Sequence, residues 1–141
     1  MHDADEDRVP VDAFEVDAAA FRLVRGRGAI KLALGETLLR LNRGDNLLQL
    51  GYAKRVDYMR ERMGVPPRSA FQCLELARGL KERPLLRRAV VAGAVTARKA
   101  LAVFPVARDD DEAFWTMAAM SATEARLKQA VRATGREPAG R

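Results

Sequence analysis

Few side chains in this 141-residue sequence could do nucleophilic, acid–base or metal chemistry. The single histidine is His2 and the single cysteine is Cys73. A serine or cysteine nucleophile needs a neighbouring base, and no Ser-His-Asp or Cys-His pair can be built around a histidine in a polar tail. One histidine and one cysteine do not make a zinc site. Cys73 lies in an apolar-rich stretch and reads as a small core residue. No glycine-rich loop ends in Gly-Lys-Ser/Thr; Arg25-Gly26-Arg27-Gly28 follows a helical pattern rather than a strand and reads as a turn. Asp109-Asp110-Asp111-Glu112 could suggest a cation cluster. Consecutive acids fan around a helix end, however, so the run reads as a solvated helix start favoured by the macrodipole. The expectation is a non-enzymatic chain with no catalytic residue, no metal and no cofactor.

Charge supplies the positive signal. Residues 1–20 carry seven acids and one base, for a net charge of −6. Residues 21–105 carry eighteen bases and six acids, for +12, and residues 106–141 are neutral. A +12 middle section suits a polyanion. Twenty of the twenty-five bases are arginine, whose planar fork matches phosphate and guanine edges. The acidic start could also fold back and compete with that polyanion. No long uncharged apolar run and no signal-peptide pattern is present, so a cytoplasmic location without a membrane span is expected.

The elements that would position these charges are helical. Ala, Leu, Arg and Glu abound and no alternating strand pattern occurs. The expected fold is all-α: a compact domain of about eight short helices over residues 11–135, between a flexible acidic tail at 1–10 and a tail or linker start at 136–141. A first helix from Val11 to about Val24 has Asp12 as N-cap and Phe14, Ala18 and Phe21 on one stripe. Arg25 to Gly28 breaks it. A second helix over 29–42 places Ile30, Leu34, Leu38 and Leu41 at helical spacing. After a turn at 42–45 and a short piece ending at Gly51, a helix spans Arg55 to Met63 and another Pro67 to about Lys81. Pro84 opens a helix closed by Gly93. Thr96 caps one that Pro105 ends. The acidic run starts a helix carrying Phe114, Trp115 and Met117, which with Phe104 are expected in the core. Ser121-Ala-Thr-Glu124 reads as a capping box for the last helix, ended by Gly135.

Residues 55–81 form the pattern of a helix-turn-helix: a supporting helix with Met59 and Met63 inward, Gly64 at the turn, Val65 after it, and a second helix. Ala70 and Cys73 would pack inward. Arg68, Ser69, Gln72 and Glu75 fall on a face distinct from that of Cys73 and Leu80, and Arg and Gln can contact guanine and adenine edges. Pro66-Pro67 replaces the usual hydroxyl cap but is tolerated in a first turn. Arg60 occupies a place usually small, and Phe71 lies near the outer face.

The segments ALGETLLRL, LGYAKRVDYMRERMGVPPRSA, LARGLKERPLLRRAVVAGAVTARKALAVFPVA and DEAFWTMAAMSATEARLKQAV, in this order, carry a resemblance. From about Ile30 to Val131 the chain resembles the helical N-terminal region of HNH endonuclease-like proteins of myxobacteria and related bacteria. Gly64 to Leu101 is also similar to the helix-turn-helix region of ParB-type partition proteins, through Gly64, Arg78, Leu80, Pro84, Gly93, Thr96 and Ala100. The resemblance implies recognition of DNA or of a partner. The HNH module, with its paired histidines, is not in this sequence, so no nuclease activity carries over to any residue present. Arg68, Ser69 and Gln72 are then expected to face bases. Lys54, Arg55, Arg87, Arg88, Arg98 and Lys99 are expected to neutralise phosphates. The alternative is a protein-interaction or dimerisation module without DNA contact, anchored by Phe71 and whichever of Phe104, Phe114, Trp115 and Met117 are exposed.

Overall fold

The computed structural model describes residues 12–135, so the acidic tail, His2 and the 136–141 segment lie outside the described residues. Among the described residues the fold is all-α, with eight α-helices and no strand. They are α1 (Ala13–Leu41), α2 (Asn46–Gln49), α3 (Arg55–Asp57), α4 (Pro67–Lys81), α5 (Pro84–Val91), α6 (Ala97–Val103), α7 (Glu112–Ser121) and α8 (Glu124–Ala133).

The expected break at Arg25–Gly28 does not occur: α1 is one helix of 29 residues, about 43 Å long. Asp12 caps it as expected, accepting a hydrogen bond of 2.9 Å from the Phe14 N–H. Glycine weakens a helix but does not end one, and tertiary packing overrides a cost of about 1 kcal/mol. Gly28 is buried, and a methyl there would meet the Val90 side chain at 3.1 Å, so the glycine lets α1 approach α5. Arg25 donates to the Ala92 carbonyl at 3.2 Å, tying the same point of α1 to the end of α5.

Two apolar stripes assigned to α1 also differ from expectation. Leu38 is buried and Leu34 and Leu41 are half-buried, but Ile30 is 69% exposed. The buried line is Gly28, Leu32, Gly35 and Leu38. Phe14, Ala18 and Phe21 are all exposed. Periodicity identifies an apolar face; it does not say how far along the helix a partner extends.

The centre of the fold is the crossing of α1 over α4. A methyl at Gly35 would collide with the Cys73 carbonyl, so the backbones meet without an intervening side chain. One cluster gathers Leu38, Met59, Ala70 and Leu74, with Tyr58, Met63 and Val65 against it. A larger one joins Leu32, Leu76, Leu80, Leu86, Val90, Val103, Trp115 and Leu127 across α1 and α4 to α8. Burying each such leucine contributes about 1.5–3 kcal/mol. Cys73 is buried, and desolvation raises its thiol pKa against the lowering influence of Lys31, in keeping with a core role.

Several caps sit where local sequence places them. Pro67 and Pro84 stand in first turns, Thr96 accepts from the Lys99 N–H at 3.2 Å, and Gly93 and Gly135 take φ of +78° and +73° beyond helix ends. The capping box does not: α7 continues through Ser121, and Thr123 caps α8 by accepting from the Arg126 N–H at 3.3 Å. Ser121 instead donates back to the Met117 carbonyl at 3.3 Å, as a helix-interior serine can. The aromatic set is also split. Trp115 is buried and Phe104 half-buried, but Phe114 and Met117 are exposed.

Candidate nucleic-acid interface

Residues 55–81, expected as two helices about a turn, hold a short helical stretch before Gly64 and the full helix α4 after it. Only Arg55–Asp57 is α-helical; Tyr58–Arg62 winds as a π-helix, with the Met63 N–H reaching the Tyr58 carbonyl at 3.2 Å. Met59 is buried, while Arg60 points to solvent and leaves the small-residue position free of conflict. Gly64 takes φ +65°, a left-handed conformation that glycine adopts without penalty. The Val65 N–H then bonds the Met59 carbonyl at 3.0 Å, closing the turn. The main support of α4 is α1, with α3 and its π-helical extension touching it more lightly.

α4 buries Ala70, Cys73, Leu74, Leu76, Ala77 and Leu80. Its outer face carries Arg68, Phe71, Gln72, Glu75 and Arg78, all exposed, with Ser69 exposed at the edge. Among the described residues no side-chain hydrogen bond or ion pair engages Arg68, Ser69 or Gln72, whose backbones are held within α4. Phe71 is 41% exposed, and the Arg55 guanidinium lies 5.9 Å from its ring centroid. That contact brings α3 and the leading part of α4 together: Arg55, Arg68, Phe71 and Gln72 share one surface, with exposed Lys54 next to Arg55.

The other predicted phosphate contacts lie on α5 and α6, and two are engaged elsewhere. Arg87 pairs with Glu36 of α1 at 2.8 Å. Arg98 pairs with Glu124 of α8 at 3.2 Å, a carboxylate shared with Lys128 at 2.8 Å. The Lys128 hydrogen bond, aided by the charges of Lys128 and Arg98, holds the Glu124 carboxyl below its usual range against mild desolvation. Arg88 is exposed and Lys99 half-buried. Arg87 and Arg98 thus reach towards different helices.

Two residues, one that sequence reading did not single out and one that it placed in solvent, hold this part of the fold in shape. Arg83 donates to three carbonyls, those of Ala107 (2.7 Å), Gly79 (2.8 Å) and Phe104 (2.7 Å), and stacks 4.8 Å from the Phe104 ring. Burial lowers its pKa first, with Arg108 adding to the effect and Glu82 and Glu112 opposing it. Arg83 therefore acts as a clamp between the end of α4 and the segment after α6. Glu112, expected at a solvated helix start, is 7% exposed. Its carboxylate accepts from the Leu85 N–H at 2.6 Å and the Leu86 N–H at 3.2 Å, so it caps α5 from a distance in sequence. A local reading sees four acids in a row; only the packed chain shows that one of them serves another helix. Among the described residues no group of three or more His, Cys, Asp or Glu is placed to hold a metal ion. No helix among them is long and apolar enough to cross a membrane.

In comparisons with known proteins, no family model, no curated protein and no solved structure matches this chain.

Proposed function

We propose that this domain is a non-enzymatic DNA-binding module that uses residues 55–81 as a helix-turn-helix. The observation that carries the reading is the shared surface of Arg55, Arg68, Phe71 and Gln72, where the exposed aromatic is framed by basic and amide groups. Arg68, Ser69 and Gln72 have the donors that read base edges. Lys54, Arg55, Arg88 and Lys99 neutralise phosphates, and Arg87 and Arg98 do so on exchanging Glu36 and Glu124 for the nucleic acid. The +12 charge over residues 21–105 supplies the long-range attraction. In this proposal the chain works in the cytoplasm, as a stand-alone regulator or as the recognition part of an HNH nuclease-like protein.

Fluorescence anisotropy with a labelled duplex tests it. Affinity should fall steeply with salt, and K54A/R55A should weaken all sequences alike and flatten the log–log salt slope by about 2. Arg68→Ala should reduce sequence preference more than total affinity. Affinity that is absent at low salt, or indifferent to salt, overturns the reading.

One observation favours the second reading, a protein-interaction module: Phe114, Met117 and Met120 of α7 are 66%, 65% and 47% exposed. Under that reading, duplex binding is absent, and Phe114→Ser/Met117→Ser abolishes partner capture without changing the unfolding midpoint.

A further inference from the structure

The N-terminal part of α1 leaves the body of the domain with its apolar face unpartnered. Phe14, Ala18, Phe21 and Arg25 follow one another at alternating steps of four and three residues, and the same spacing continues through Gly28, Leu32, Gly35 and Leu39. That is the seam of a heptad pattern. Its second half is buried against α4 and α5, or half-buried at Leu39. Its first half is open: Phe14 is 86% exposed and Phe21 61%, and Ala18 between them is exposed too. The body begins at Arg25, which is tied to Ala92. A helical arm of about three turns therefore presents an unfinished seam.

We infer that a second copy of this chain completes the seam, its α1 arm lying antiparallel to the first. Charge and side-chain size select the partner and the direction. In an antiparallel pair Phe14 faces the partner's Arg25, and Ala18 faces the partner's Phe21. Each layer thus matches a ring with a guanidinium, or a large side chain with a small one. Arg25 already lies 5.8 Å from the Phe21 ring centroid within its own chain, so its guanidinium is placed on the seam. Beside the seam, Glu15 and Arg22 are flanking positions one heptad apart that meet one another across an antiparallel pair. Each dimer then gains two complementary charge pairs. A parallel pair instead stacks Arg25 on the partner's Arg25 in the seam and sends both domain bodies to the same end. The antiparallel pair puts the bodies at opposite ends, with each arm filling the space between the other arm's tip and its body. Two copies would then present two outer α4 faces from one assembly, although the inference does not depend on what those faces bind.

Sedimentation equilibrium of the full chain, from low micromolar to several hundred micromolar, tests the inference. A monomer–dimer equilibrium is expected. Phe14→Glu/Phe21→Glu should raise the dimer dissociation constant more than about tenfold, because both rings leave the interface. As that change could unwind the arm, charge exchange is the second arm of the test. Glu15→Arg and Arg22→Glu should each weaken dimerisation. The double variant E15R/R22E, or an equimolar mixture of the two single variants, should restore it. A chain that stays monomeric throughout, because residues 1–11, another protein or solvent covers the seam, overturns the inference. Rescue by D17R/R22E in place of E15R/R22E also overturns it, because that pair meets only in a parallel dimer.

Discussion

Two glycines in the interior of α1 should respond to the same substitution with opposite sign. Ala is favoured over Gly inside a helix by about 1 kcal/mol. At Gly26 an added methyl meets nothing within 4 Å, so Gly26→Ala should keep most of that gain and stabilise the domain by about 0.5–1 kcal/mol. At Gly35 the same methyl collides with the Cys73 carbonyl and comes within 2.9 Å of the Ala77 Cβ. Carbon atoms rest about 3.5–4.0 Å apart, so α1 must back away from α4 by about an ångström. Both contacts lie on the α1–α4 crossing, where the obstruction is a backbone that cannot swing aside. Overpacking of this kind costs about 1–3 kcal/mol, and the loosened packing around Leu32, Leu38 and Leu74 puts Gly35 at the upper end; subtracting the helical gain leaves Gly35→Ala destabilising by about 2 kcal/mol. Urea unfolding followed by helical ellipticity and by the fluorescence of Trp115, the only tryptophan, measures both changes. A stabilised or neutral Gly35→Ala refutes the close crossing. A destabilised Gly26→Ala refutes the continuous helix, because it means the chain needs glycine there for a bend.

Arg83→Met should destabilise by about 3 kcal/mol in the same urea assay: three carbonyls lose a charged donor, each such bond contributing about 1.5–3 kcal/mol, and water reaching this half-buried site recovers part of the loss. Arg83→Lys, which lacks the fork, should restore only part of that. Cys73 should resist iodoacetamide at neutral pH in the folded chain and react rapidly in urea, because burial raises its pKa and blocks access; equal rates would contradict its packing. Glu124→Gln should lower the melting temperature slightly above pH 4.5, the carboxyl's ordinary value. The folded carboxyl titrates below that value, so the contribution is present above it and fades as pH falls through the depressed pKa. The wild-type and variant melting curves should therefore converge in acid, and a gap that widens there would contradict the Lys128 and Arg98 contacts.

What could be read from the sequence is what adjacent residues settle between themselves. Asp12, Thr96, Pro67, Pro84, Gly93 and Gly135 mark helix ends because a cap or a left-handed turn involves atoms only a few residues apart. Helical period alone separates Arg68 and Gln72 from Cys73 and Leu80, so the exposed face of α4 was legible. Ser121 shows the limit of such reading: two hydroxyls two residues apart both fit a cap, and the packing of α7 decided for Thr123. The rest depended on which element came to lie against which. Arg25-Gly26-Arg27-Gly28 stays helical because α5 rests on Gly28. Glu112 caps α5, and Arg87 and Arg98 hold Glu36 and Glu124, through contacts between residues at least 26 apart in sequence. Phe14 and Phe21 carry the same periodic signature as Leu32, yet they stand in solvent. Sequence sets the face a helix offers; only the tertiary structure, by where its body ends, decides whether anything meets it.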